Sequence, residues 1–194
     1  MTTGRDPDLD LLQRWRSGAA AAGNQLCRRF EPKLRRFFAA KVQPADVEEM
    51  VQQTWLALTG ACRRADLRPE SGGLDAIRTT FRAYLYGIAR HTLLAYHRKN
   101  YRGGRDFDPE VESLETLAPS LSQQLSLQRR VKQLELALRS LPLELQLLTE
   151  ARYVEELSGP ELAEMFALPE GTVRSRLSRA RRLMDEALER LERK

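Results

Sequence analysis

SGPELAEMFALPEGTVRSRLSRARRLM, the stretch from Ser158 to Met184, decides how the rest of the chain is read. Ser158 can cap a helix, Glu161 stands three residues on to complete a capping box, and Leu162, Ala163 and Phe166 supply an apolar stripe, so a first helix is expected over Gly159 to Phe166. Leu168, Pro169 and Gly171 then interrupt it, because proline withdraws an amide donor and glycine tolerates conformations that other residues resist. A second helix restarts near Glu170. In it Val173, Leu177, Ala180, Met184, Leu188 and Leu191 recur at helical spacing and must face a core. That turns Ser175, Ser178, Arg179 and Arg182 outward, with Arg174 and Arg181 on one flank. The pattern is that of a helix-turn-helix with a basic, short-chained outer face. Guanidinium groups fork onto guanine edges or phosphates, small hydroxyls let the backbone approach, and a helix amino end favours phosphate, so Thr172 is a natural anchor. The functional reading is major-groove DNA recognition. The bland alternative is a helical hairpin whose arginines only solvate its surface.

Composition bounds the rest. The 194 residues suffice for one domain or two small ones, and the formal net charge of +5 suits a polyanionic partner. Hydrophobic residues make up 42% of the chain, enough for compact cores. No apolar run approaches the ~20 residues of a membrane span. The opening MTTGRDPDLDLLQRW lacks the apolar block of a secretion signal, so a cytoplasmic protein is expected. Cys27 and Cys62 are too few for a disulfide framework or a zinc site, and His91 and His97, six apart, do not share a helical face, so no metal or cofactor is expected.

Almost nothing reads as strand, and the fold class expected is all-α. Leu9, Leu12 and Trp15 mark a short leading helix; Leu26, Phe30, Leu34, Phe37 and Phe38 stripe a second, whose other face carries Arg28, Arg29, Lys33, Arg35 and Arg36. After Pro44, Val47, Met50, Val51, Trp55 and Leu58 share one face, leaving Asp46, Glu49, Gln52 and Gln53 outward. A long loop, roughly Arg63 to Arg78, precedes a helix over Thr79 to Tyr101. Phe81, Leu85, Ile88, Thr92, Ala95 and Tyr96 give that helix its inward pattern, and Arg82, Arg90, His97, Arg98, Lys99 and Arg102 gather positive charge toward its carboxyl end. Gly103 and Gly104 break it. Asp106, Asp108, Glu110, Glu112 and Glu115 then follow with no Lys or Arg up to Leu117, which reads as an acidic, mostly disordered linker. Helices over Leu121 to Arg139 and Leu143 to Val154 complete a four-helix carboxyl module with the helix-turn-helix. Two small helical domains, 1–102 and 121–194, are thus expected on either side of a flexible linker, 103–120.

At this point the chain resembles a known family. ALRSLPLELQLLTEARYVEELSGPELAEMFALPEGTVRSRLSRARRLM is similar to domain four of the bacterial RNA polymerase sigma factors of the extracytoplasmic-function (ECF) group, within the sigma-70 family. LCRRFEPKLRRFFAAKVQPADVEEMVQQTWLAL and FRAYLYGIARHTLLAYHRKNYR resemble its domain two, in the expected order. The resemblance implies a subunit that binds core RNA polymerase and directs promoter-specific initiation. Asp46, Glu49, Gln52 and Gln53 would dock on the clamp helices of the largest subunit, where the family writes D-L-V-Q-E and this chain Glu49-Met50-Val51-Gln52-Gln53. The carboxyl module would also meet the flap region. The loop around Leu67 to Thr80 would capture an unstacked base of the minus ten element, with Arg82, Arg90, His91, Arg98, Lys99 and Arg102 along the DNA. The family usually has asparagine at the position of His91 and often aspartate at that of Ala95. Matching the family's G-T-V-R-S-R pattern sets Arg174, Ser175, Ser178 and Arg179 toward the minus thirty-five element and Thr172 and Arg181 on phosphates. Arg176 would lean back, its head meeting solvent or an acid. The acidic linker resembles the connector that enters the RNA path of the polymerase, and an anti-sigma factor is an implied partner.

Tyr84, Tyr86 and Tyr96 could stack on bases, yet aromatics at helical spacing more often belong to a core. No constellation of nucleophile, base or phosphate-binding loop stands out, so an enzyme is not expected. Two other functions stay open on the residues alone. One is an autonomous repressor or activator, marked by tight operator binding without polymerase. The other is an adaptor with no DNA role, which replacing Arg174 and Arg179 would leave unharmed.

Overall fold

The computed structural model describes residues 6–67, 77, 79–101, 106–117 and 129–193. Among them there is no strand, only one isolated bridge between Ser113 and Pro142, and the fold is all-α. The chain divides into two compact units, one of residues 1–40 and 44–93, the other of residues 41–43 and 94–194.

In the first unit, α1 (Pro7–Arg16) and α2 (Ala20–Ala39) form a hairpin. Gly18, at φ 96°, makes the turn between them, a conformation glycine adopts without strain. Gly23 answers a different need, because a Cβ there would lie 2.6 Å from the Trp15 indole. The apolar stripe of α2 is buried as its spacing predicts: Leu26, Phe30, Leu34, Phe37 and Phe38 are all at most 6% exposed. A 3-10 turn, Pro44–Asp46, leads into α3 (Val47–Leu67), so the helix takes up the first residues of the expected loop. Most of that loop, Leu67 to Thr80, lies outside the described residues.

Phe81 begins α4 (Phe81–Asn100), and its amide donates to the Asp6 carboxylate at 2.7 Å. Asp6 also caps α1, accepting from the Asp8 amide at 3.0 Å. One carboxylate therefore satisfies orphan amides of two helices far apart in sequence. The inward face of α4 differs from the periodicity reading. Phe81 and Leu85 are buried, but Ala95 is exposed, and Ala83, Tyr86, Ala89 and Leu93 are buried instead. Small residues carry no strong preference for either face. Packing of Phe81 on Phe30 and of Tyr86 on Phe37, with centroids 5.1 and 5.6 Å apart, sets the rotation. Tyr86 is thereby a core residue rather than a stacking platform.

The second unit holds the largest departure. The acidic segment expected to be disordered is ordered over 106–117 and includes a short helix, α5 (Leu114–Leu117). Glu112, Ser113 and Leu114 are buried. Its neighbours are α6 (Arg129–Arg139) and α7 (Leu143–Tyr153). Pro142 at the N-cap of α7 has no side-chain oxygen with which to cap it. Backbone carbonyls of the acidic segment do so instead: Leu143 N–H donates to Glu112 at 2.8 Å, and Glu144 N–H to Pro109 at 3.1 Å. Arg139, 2% exposed, donates to the Leu114 carbonyl at 3.2 Å. Tyr101 donates to Glu112 at 2.7 Å. A charge-only reading of Asp106 to Glu115 misses these bonds, since most of them use backbone.

The helix-turn-helix follows as α8 (Gly159–Phe166) and α9 (Glu170–Glu192). Leu141, Leu145 and Ala180 form a buried cluster beneath it, joined by Leu138, Leu183 and Met184.

Candidate nucleic-acid interface

The turn between α8 and α9 is set by local chemistry. The Ser158 amide donates to Glu161 Oε2 at 2.8 Å and its hydroxyl to the same oxygen at 2.7 Å, which fixes the start of α8. Ala167 ends the helix at φ 52°, a left-handed conformation, and Leu168 N–H returns to the Ala163 carbonyl at 2.9 Å. The residue bearing the unusual backbone is thus Ala167, not Gly171, which lies in the first turn of α9. A Cβ on Gly171 would meet nothing within 4 Å among the described residues, so its smallness serves no neighbour there.

Along α9, Val173, Ala180 and Ala187 are buried and Leu177, Met184, Leu188 and Leu191 half-buried. On the other side Arg174, Ser175, Ser178, Arg179, Arg181 and Arg182 are exposed, and Thr172 is half-buried. Ser175 donates to the Thr172 carbonyl at 3.0 Å and Ser178 to the Arg174 carbonyl at 3.1 Å. With their protons committed to the helix, both hydroxyls present lone pairs outward, as acceptors for base amino groups. Arg182 is drawn along the helix to Glu186 at 2.7 Å. Arg176, half-buried, meets an acid: its guanidinium lies 2.7 Å from Glu110 of the ordered acidic segment. Arg181 reaches the Tyr153 hydroxyl, a residue that periodicity did not single out.

The other sequence-predicted residues fall on two further surfaces. On α3, Glu49, Gln52 and Gln53 are exposed, while Met50 and Val51 are 2% exposed; Asp46, in the 3-10 turn before it, is half-buried. Gln53 donates to Glu49 at 2.7 Å, which fixes both heads on one face. Leu56, 69% exposed and seven residues after Glu49, continues that face. Charge patterning missed it because an isolated exposed leucine leaves no periodic signal. Glu48 is engaged separately, in an ion pair with Arg35.

On α4, Arg82 and Arg90 are half-buried, and His91, Arg98 and Lys99 are exposed. Arg102 lies outside the described residues. His97, which counted toward the basic end of this helix, is 3% exposed. Burial, opposed by a hydrogen bond with the backbone of Lys41, lowers its pKa to about 4, so it carries no charge at neutral pH. The ring is stacked at 26° on Phe107 and packs edge-on to Tyr96. Its Nε2 is buried with no hydrogen-bond partner among the described residues.

No group of three or more His, Cys, Asp or Glu among the described residues could hold a metal ion. Cys27 and Cys62 form no disulfide among the described residues, and burial pushes the Cys27 thiol pKa up. No described helix is long and apolar enough to cross a membrane.

Comparison with known proteins matches this geometry. Residues 132–184, from α6 through most of α9, match the family model described as Sigma-70, region 4. The chain is 28% identical over 197 residues to the ECF RNA polymerase sigma-E factor of Escherichia coli (strain K12), covering 94% of each chain. It shares the same identity and coverage with the protein of that name from Salmonella typhimurium (strain LT2), and 28% identity over 202 residues with that of Haemophilus influenzae. Among solved structures, the sigma factor RpoE from Bartonella quintana, crystallised with the anti-sigma factor NepR, is similar in fold. Its TM-score is 0.54 at 20% identity, over 86% of this chain and 96% of that one. The arginine-faced helix-turn-helix thus lies within the stretch that matches sigma-70 region 4, and over 94% of its length the chain is similar to ECF RNA polymerase sigma-E factors.

Proposed function

We propose that the chain is a dissociable initiation subunit that binds core RNA polymerase and directs promoter-specific transcription by reading two promoter boxes. The observation that carries this reading is the face of α9, where Arg174, Ser175, Ser178 and Arg179 stand exposed opposite a buried Val173 and Ala180. Bidentate guanidinium contacts with guanine, flanked by hydroxyl acceptors, would select the minus thirty-five element, and Thr172 and Arg181 would hold the adjoining phosphates.

Asp46 of the 3-10 turn, with Glu49, Gln52, Gln53 and Leu56 of α3, would dock on the clamp helices, with Leu56 as an apolar anchor among hydrogen-bonding groups. The exposed Arg98 and Lys99, with Arg82, Arg90, His91 and Arg102, would follow the melted strand of the minus ten element. Residues 1–102 would then be domain two and 121–194 domain four. Nucleotide joining belongs to the core polymerase on this reading, and the subunit acts by differential binding, in the cytoplasm where the polymerase works. The anti-sigma partner of the Bartonella protein makes such a partner a candidate here too.

The test is transcription start mapping with purified core polymerase on a pool of promoters, with and without the chain. Specific starts sharing two sequence boxes are expected only when it is present. Unchanged, unspecific starts would refute the reading, and tight operator binding without polymerase would favour an autonomous regulator.

A further inference from the structure

Tyr153 closes α7 and is 59% exposed, an unusual degree for an aromatic ring beside a packed helix. Its hydroxyl accepts a hydrogen bond from Arg181 Nη2 at 3.2 Å. We infer that Tyr153 and Arg181 form a two-point clamp for a single phosphodiester of the promoter duplex, an inference that rests on the DNA reading of α9.

The hydrogen bonding favours this pairing. A phenol that accepts through oxygen keeps its own proton to donate, and accepting from a cation polarises that O–H toward a stronger donor. The guanidinium has five N–H donors and uses one on Tyr153, which leaves four. Two donor heads in hydrogen-bond contact thus offer their remaining protons side by side, an arrangement suited to the oxygens of one phosphate. Tyr153 also limits the rotamers of Arg181. A long arginine on an exposed flank otherwise loses conformational freedom on binding, and a rigid ring with two torsions shares that loss before the DNA arrives.

Neighbouring arginines of α9 are held differently, Arg176 by Glu110 and Arg182 by Glu186. Each of those gives part of its charge to a carboxylate. The partner of Arg181 is neutral, so its full positive charge remains for a phosphate. Base-edge discrimination is not expected of this pair, since phosphates carry no sequence information directly.

The experiment measures promoter binding by holoenzyme assembled from core polymerase and the full chain, over a salt series, for wild type, Tyr153→Phe, Arg181→Ala and the double variant. Tyr153→Phe keeps the ring and removes only the hydroxyl. It is expected to weaken binding about fivefold, the scale of one hydrogen bond, to promoters with matched and altered minus thirty-five boxes alike. Arg181→Ala should weaken binding further and lower the salt slope by about one, while Tyr153→Phe leaves that slope unchanged. The double variant should be weaker than Arg181→Ala by less than Tyr153→Phe costs alone, because the two heads are coupled through their hydrogen bond. Wild-type affinity in Tyr153→Phe, or additive losses in the double variant, would overturn the clamp while leaving the sigma reading intact. Failure of the wild-type holoenzyme to bind any promoter would overturn both.

Discussion

The two units of this chain are held together by different physics. In the first, aromatic rings meet edge to face: Trp15 with Trp55 at 6.5 Å, Phe30 with Phe81, Phe37 with Phe38. In the second, charges are taken out of water. Lys41, 2% exposed, pairs with Glu150 at 2.5 Å, Arg139 is equally buried, and His97 stays neutral. Desolvation lowers the pKa of Arg139 and raises that of Glu135, which also lies near the Glu150 charge. A unit sealed by rings should be sensitive to shape and indifferent to acid. One that also buries paired charges beside its leucine core should respond to acid as well.

The largest expected effect breaks the charge pairing. Glu150→Gln leaves the Lys41 ammonium buried beside a neutral amide and should destabilise the second unit by ~3 kcal/mol, read as a lower urea midpoint for that unit. A double change to Lys41→Met with Glu150→Leu should recover much of the loss, because it removes the buried ammonium together with its nearest counter-charge.

Acid comes next. The folded-state pKa of His97 lies below its ordinary value of 6.5, at about 4, so between those values the unfolded chain binds more protons. Its contribution is complete above pH 6.5 and is lost as pH falls toward 4, on the order of 3 kcal/mol in all. Glu135 works in the opposite sense, since its raised pKa lets acidification relieve a folded-state strain just above the ordinary carboxylate value. Unfolding curves at pH 7 and pH 4.5 should therefore show a net loss, and His97→Gln should flatten the pH dependence.

The first unit is tested by shape. Gly23→Ala puts a methyl 2.6 Å from the Trp15 ring and should cost ~1–3 kcal/mol, partly offset by alanine's better helix propensity, with Trp fluorescence reporting the displaced indole. The smallest effect has the opposite sign. Ala167 holds a left-handed backbone, so Ala167→Gly should stabilise the helix-turn-helix by ~1 kcal/mol, measured as a higher melting temperature with DNA affinity kept.

The same contrast explains what the sequence could reveal. The helix-turn-helix was legible because its determinants are local: Ser158 with Glu161, Pro169 in the turn, and apolar residues at helical spacing along α9. Even there the left-handed residue proved to be Ala167, since a side chain that tolerates an uncommon backbone leaves no mark as glycine does. The outward set on α3 was legible for the same reason, but Leu56 beside it was not.

The order of the acidic segment is not legible from its charge, because its anchors are carbonyls of Pro109 and Glu112 offered to a helix whose N-cap is proline. The neutrality of His97 leaves no mark in the sequence, because its surroundings include Phe107 and the Lys41 backbone, neither a periodic neighbour. Long-range pairs such as Lys41 with Glu150, or Asp6 with the Phe81 amide, have no sequence signature at all.

The central claim is that the exposed face of α9 chooses the promoter while the other unit keeps the chain on the polymerase. It is tested most directly by transcription from a promoter library randomised in the minus thirty-five box, with the wild-type chain and with Arg174→Ala and Arg179→Ala on the same core enzyme. The account predicts that each variant still assembles with polymerase and loses selection at particular base pairs, by ~1–3 kcal/mol for a lost bidentate contact. Variants that select the same minus thirty-five sequences as the wild type would contradict it.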